Sequence, residues 1–98
     1  MSRGPDAATL LERAILADAA CAGLGVQLTD ACATRWASAT FVGARHRLTI
    51  TVDGDARDWL DGLGETDLPL RNHLVADLSI EDTRIAQGVT TAIVEVLT

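Results

Sequence analysis

The spacing of apolar residues alternates between a helical period and a strand period, and this alternation limits the folds open to the chain. A segment starting at residue 7 or 10 and ending near residue 22 has helical spacing, and extended segments follow it. Ala56, Leu60 and Leu63 then share one side of a second short helix, after which extended segments return. The sequence therefore predicts an α+β fold with the element order αββαββ.

We expect an antiparallel sheet of four or five strands, with both helices packed on one of its faces. The predicted strands cover residues 35–42, 45–52, 73–80 and 89–97. Residues 26–33 fit either an extended lead or a further short strand, and residues 81–88 are predicted as a loop. In the last strand, Ala92, Val94 and Val96 are expected to face the helices.

The first two predicted strands are expected to form a hairpin. Gly43 and Ala44 separate them, and a glycine at the first turn position is typical of a two-residue type II′ turn. This turn sets a register in which Ala37, Ala39 and Phe41 face Ile50, Leu48 and His46. Small residues would then lie opposite large ones on the helix side of the sheet.

A weak internal repeat accompanies this layout. Residues 23–25 and residues 62–64 both read Gly-Leu-Gly, and the corresponding shift of 39 residues also places Ala37 on Ala76. Two explanations remain open: a duplicated αββ unit, or a coincidence produced by similar element order.

Length and composition favour one compact domain over residues 1–98, with residues 1–8 as a flexible lead-in. The chain has 98 residues, of which 48% are hydrophobic, and this is enough apolar material for one core. The N-terminal residues lack the profile of a signal peptide, and the two cysteines are too few for a disulfide framework. We therefore expect a cytoplasmic protein.

The net charge of −6 is concentrated in the second half of the chain. Residues 1–52 carry five arginines and four acidic residues, whereas residues 53–98 carry three arginines and ten acidic residues. Nucleic acid and anionic membranes are not expected partners, because both need a cationic surface. The acidic second helix has two interpretations: a solvated face, or a docking site for a basic protein surface.

The face of the sheet that points away from the helices is expected to hold more apolar residues than solvent exposure favours. Its candidate interface residues are Trp36, Val75, Ile93 and Leu97. Exposed apolar patches often mark contact surfaces, so we predict a homodimer formed through this face or through the first helix. The alternative is a monomer in which another part of the chain covers Trp36.

A cluster of basic residues and histidines supports a different hypothesis. Its members are Arg45, His46, Arg47, Arg71 and His73. Such a cluster could bind an anionic ligand or serve acid–base catalysis in a small enzyme. No motif places a second catalytic group beside these residues, however, and His46 equally fits a structural role against Phe41.

No metal or other cofactor is expected. Cys21, Cys32, His46 and His73 are separated by 11, 14 and 27 residues, unlike the close pairs that bind one ion. Cys21 is instead expected in the core, on the apolar face of the first helix. The sequence thus favours a non-catalytic interaction or assembly module, with the ligand-binding domain or small enzyme as the alternative.

Overall fold

The computed structural model describes residues 7–40, 42–65, 68, 70 and 75–98. Two helices and four strands follow one another as α1 (Ala7–Cys21), β1 (Val26–Ala37), β2 (Val42–Asp53), α2 (Arg57–Leu63), β3 (Asp77–Ala86) and β4 (Val89–Leu97). The predicted αββαββ order is confirmed. Within the described residues, no helix has the length and apolar character needed to cross a membrane.

The strands form one antiparallel sheet in the order β1-β2-β4-β3. The long hairpin strands β1 and β2 are central to the elongated outline of the molecule, which measures 44 × 26 × 23 Å. The ambiguous segment 26–33 is the first part of β1, so the described strands number four. β1 and β3 lie at the two edges of this sheet.

The core lies between the helices and one face of the sheet. On α1, Leu11, Ile15 and Ala19 are buried at intervals of four residues, which places them along one side of the helix. Leu60 and Leu63 of α2 enter the same core. They meet buried residues that alternate along the central strands: Leu48, Ile50 and Val52 on β2, and Ala92, Val94 and Val96 on β4. The predicted helix-facing side of the last strand is confirmed.

Polar contacts fix the position of α2. The Trp59 indole Nε1 donates a hydrogen bond to Oδ2 of Asp18 on α1, over 2.9 Å. At the start of α2, the fully buried hydroxyl of Thr90 donates to the Gly54 carbonyl and accepts from the Ala56 amide. These bonds connect α2 to both α1 and β4.

The predicted register of the first hairpin is wrong. Trp36 lies opposite Gly43, and Ala37 lies opposite Val42 instead of Ile50, a shift of eight residues along β2. The connection between the strands therefore covers residues 38–41, and Gly43 belongs to β2. The observed register pairs Leu28 with Ile50, which brings an additional apolar side chain against the core.

The third strand also differs from its prediction. β3 continues through residues 81–86, which were predicted as a loop, and ends at a two-residue turn. Gln87 and Gly88 both have positive φ angles, 54° and 75°, as a type I′ hairpin turn requires. Residues 73 and 74 of the predicted strand lie outside the described residues.

The two hairpins are related in order, although not by the predicted shift. The sheet order reads the same when the two αββ units are exchanged, and each edge strand contains a register irregularity. These bulges lie between Leu28 and Asp30 and between Ile80 and Asp82. A shift of 39 residues is wrong, because it would end the equivalent of β1 at residue 76, before β3 begins.

Candidate functional site

We call the face of the sheet that points away from the helices the outer face. The strand registers place these residues on it: Cys32, Thr34, Trp36, Gly43, Arg45, Arg47, Thr49, Thr51, Thr91, Ile93, Glu95, Leu97, Asp77, Ser79, Asp82 and Arg84. Both helices contribute to the core on the opposite face. The outer face is therefore a candidate contact surface.

The middle of the outer face carries no charge. Thr49 and Thr51 of β2 lie opposite Ile93 and Thr91 of β4, and all four residues are half-buried. Charged residues flank this central patch on the edge strands, with Asp30 on β1 and the pair Asp82 and Arg84 on β3. The face thus has an uncharged centre and a charged rim.

One end of the outer face carries two arginines around one carboxylate. Nε of Arg45 and Nη1 of Arg47 lie 3.5 and 3.6 Å from the two carboxylate oxygens of Glu95. Both arginine side chains are more than half exposed, so these ion pairs add little to stability. Their main effect is to offset part of the positive charge that the sequence places there.

Three of the four predicted interface residues lie on the outer face. Trp36 is 36% exposed at the end of the first hairpin, and Ile93 and Leu97 lie on central strand β4. Val75 differs, because it precedes β3 and packs partly against the core on the helix side. The structure thus leaves Trp36, Ile93 and Leu97 as the apolar residues of this candidate surface.

His46 lies on the opposite face and is only 2% exposed. Its Nε2 is 3.0 Å from Oγ1 of Thr98, and the Thr98 hydroxyl also lies 3.4 Å from the Ala44 carbonyl oxygen. Ala33 is opposite His46 on β1, so the predicted pairing with Phe41 is wrong. The surroundings of Phe41 itself lie outside the described residues.

The predicted histidine and arginine cluster is divided by the sheet. Arg45 and Arg47 lie on the outer face, whereas His46 between them faces the helices. Arg71 and His73 lie outside the described residues, so the ligand-binding hypothesis stays a prediction. Sequence reasoning missed Glu95 as the partner of both arginines, because finding it requires the knowledge that β2 pairs with β4.

The thiols and the acidic side chains give no metal site in the described ranges. Cys21 and Cys32 are both exposed free thiols, so the prediction that Cys21 belongs to the core is wrong. Cys21 is the last residue of α1, beyond the buried side chain of Ala19. Among the described residues, no group of three His, Cys, Asp or Glu side chains is arranged to hold a metal ion.

A groove lies between α2 and edge strand β3, and we call it the edge groove. It has a volume of about 360 Å³ and is lined by Arg57, Leu60 and Asp61 of α2 and by Ile80, Thr83 and Ile85 of β3. Ile85 is 40% exposed. The groove combines an apolar floor with charged residues from the helix.

An ion pair lies at the helix end of the edge groove. Asp55 accepts two hydrogen bonds from the Arg57 guanidinium and one from the Arg57 amide, over 2.7 to 3.1 Å. These bonds lower the pKa of Asp55 and raise the pKa of Arg57. Arg57 is thus locally neutralised, while Asp58 and Asp61 follow on the same short helix.

No match was found. The chain was compared with protein-family models, curated proteins and solved structures, and none of the three comparisons gave a significant similarity. A functional argument therefore depends on the chain's own surfaces, of which the outer face and the edge groove are the two candidates.

Proposed function

We propose that the protein is a non-catalytic assembly module that forms a homodimer through the outer face of its sheet. The observation that supports this proposal is the uncharged patch of Thr49, Thr51, Thr91 and Ile93 on the two central strands. Protein interfaces typically have a centre depleted of charged residues and a polar rim. The outer face has this distribution.

A second copy of the chain suits this face because its rim contains charges of both signs. Asp30 and Asp82 lie on opposite edges, and Arg84, Arg45 and Arg47 add positive charge. Two identical faces can therefore meet without burying like charges at their centre. Threonine and isoleucine also favour strands and present flat, small-featured surfaces to an opposing sheet.

Domain size supports association in the same direction. A chain of about 100 residues buries a smaller share of its surface than a larger domain does, so an apolar contact with a second copy adds core. Trp36 and Leu97 at one end of the outer face offer further apolar area, since tryptophan is enriched at protein interfaces.

The first helix is the competing surface for the same function. Its buried side faces the core, and Leu16 is the large apolar residue that it leaves exposed, at 40%. A single exposed leucine is common on protein surfaces. The outer face is the better candidate because its uncharged residues are contiguous across two strands.

The test is the molar mass in solution, measured by light scattering at micromolar concentration. The wild-type chain is expected to have twice the 10.3 kDa mass of one chain. Ile93→Lys places a charge at the centre of the outer face, and the new ammonium can pair with Asp82 opposite it, so the monomer keeps its fold. This variant is expected to have the mass of one chain.

Leu16→Lys is the matched control, because it makes the same change on the exposed side of α1. It is expected to keep the dimeric mass. A wild-type chain that is monomeric overturns the proposal. A variant pattern in which Leu16→Lys dissociates the dimer and Ile93→Lys does not overturns the assignment to the outer face.

A further inference from the structure

The edge groove exists because α2 is too short to cover β3. The helix has seven residues and a length of about 10 Å, whereas β3 has ten residues and is about three times as long. Leu60 of α2 covers the part of the sheet near Ile80, and the strand beyond it is left open. Thr83 and the exposed Ile85 therefore line a groove that continues along the strand.

The same part of β3 lies at an edge of the sheet. In the described sheet, β3 pairs only with β4, so its second row of backbone amides and carbonyls faces away from the sheet. Such an edge can accept an additional extended segment through main-chain hydrogen bonds. Alternate side chains of that segment would enter the groove beside Thr83 and Ile85.

The charge around the groove is strongly negative. Residues 53–65 and 77–86 together contain eight acidic residues and two arginines, so these segments alone account for the net charge of −6. Both arginines are paired within their own segment, Arg57 with Asp55 over 2.7 Å and Arg84 with Asp82 over 3.2 Å. Asp61 lines the groove directly.

We propose that the edge groove binds an extended peptide segment of a partner protein in which aliphatic residues alternate with basic residues. The segment adds a strand to β3, its aliphatic side chains occupy the groove beside Leu60 and Ile85, and its basic side chains meet the surrounding carboxylates. The backbone edge supplies affinity, the groove selects aliphatic side chains, and the acidic rim selects cationic ones.

A fluorescein-labelled peptide of four Lys-Val repeats is the probe, with a peptide of four Glu-Val repeats as its charge control. Fluorescence polarisation with the full chain is expected to rise with the Lys-Val peptide and to stay flat with the Glu-Val peptide. Binding is expected to weaken when salt increases from about 50 mM to about 500 mM, because salt screens the exposed carboxylates. No binding of the Lys-Val peptide, or equal binding of both peptides, overturns the proposal.

Two lysine variants localise the site. Ile85 and Leu16 are equally exposed, at 40%, so Ile85→Lys and Leu16→Lys change charge and exposed apolar area alike. Ile85→Lys is expected to weaken peptide binding at least about tenfold, whereas Leu16→Lys changes it less than about twofold. Equal thermal unfolding midpoints of the two variants exclude loss of folding as the cause.

Amide hydrogen exchange identifies the edge that is used. The peptide is expected to slow exchange in residues 82–86 of β3 and to leave β1 unchanged. Protection of β1, or a loss of the wild-type dimer mass in Ile85→Lys, overturns the proposal, the latter because it makes a second copy the occupant. A monomeric chain that binds the peptide overturns only the outer-face dimer, so the two proposals fail separately.

Discussion

The indole of Trp36 packs against the backbone of Gly43, directly across the β1–β2 ladder. A Cβ atom on Gly43 would lie 2.9 Å from Cζ2 of the indole and would also collide with the Thr98 carbonyl oxygen. Aromatic side chains commonly cover glycines on a neighbouring strand in this way. Gly43 is therefore needed for close approach within the sheet, and not for a turn.

We predict that Gly43→Ala destabilises the protein by about 1–3 kcal/mol, because the backbone oxygen of Thr98 has no room to move away. Urea unfolding followed by circular dichroism measures the change. Gly62→Ala is the matched control, since a Cβ at Gly62 meets no atom within 4 Å. This control is expected to be neutral or stabilising in helix α2, and equal losses in both variants contradict the prediction.

The role of Gly43 also explains why the first hairpin could not be predicted from its sequence. The Gly-Ala pair is a local turn signal, but Val26 and Leu28 reach the core only in a register in which that pair lies inside β2. This gain depends on contacts with distant elements. The error of eight residues is an even number, so Trp36 keeps its predicted face.

Central and edge strands differ in how much their sequences reveal. β4 lies between two strands and has a buried face, so its alternating pattern predicted both its bounds and its helix-facing residues. β3 is an edge strand whose residues from Glu81 onward are exposed and partly charged, which resembles a loop. Charged residues and bulges are typical of edges, because they hinder unwanted strand pairing.

The candidate surfaces were predicted in part. Ile93 and Leu97 follow from the period of β4, whereas the ion pairs of Glu95 with Arg45 and Arg47 depend on strand order. The edge groove depends on the unequal lengths of α2 and β3 and on the position of β3 in the sheet. Neither relationship is contained in local periodicity.

Thr90 is expected to be important for stability because its buried hydroxyl makes two hydrogen bonds. Thr90→Val keeps the shape of the side chain but leaves the Gly54 carbonyl and the Ala56 amide without this partner. The expected loss is about 2 kcal/mol, measured by urea unfolding. Thr91→Val, one residue later on the half-buried outer face, is expected to change stability by less than about 0.5 kcal/mol. A loss as large in Thr91→Val contradicts this role.

The lowered pKa of Asp55 predicts a contribution to acid stability. The folded state favours the carboxylate through its hydrogen bonds with Arg57, so stabilisation is present above the ordinary pKa near 3.8. It is lost as the pH falls through the lower pKa of the folded state. Asp55→Asn should therefore flatten the acid side of the stability profile, measured by urea unfolding between pH 7 and about pH 2.

Asp58→Asn is the control for this pH dependence, because it removes one charge from α2 and leaves the hydrogen bonds between Asp55 and Arg57 in place. It is expected to keep more of the acid-side slope than Asp55→Asn does. Identical profiles for the wild type and Asp55→Asn contradict the prediction.

The hydrogen bond between Trp59 and Asp18 is expected to couple the two helices. α1 contacts β1 and α2 contacts β3, so this bond is a direct polar link between elements on opposite sides of the core. Trp59→Phe removes the indole donor and should cost about 1 kcal/mol for the hydrogen bond, in addition to the lost ring area. Asp18→Ala removes the acceptor from the other side.

A double-mutant cycle separates this bond from the change in packing. If the indole and the carboxylate interact, the double variant loses less stability than the sum of the single variants, by about 0.5–1.5 kcal/mol. Urea unfolding of the four proteins supplies the values. Glu12→Ala in place of Asp18→Ala gives the control cycle, since Glu12 lies on the same helix without this contact, and its coupling should be close to zero. Additive losses for Trp59 and Asp18 contradict a direct link between the helices.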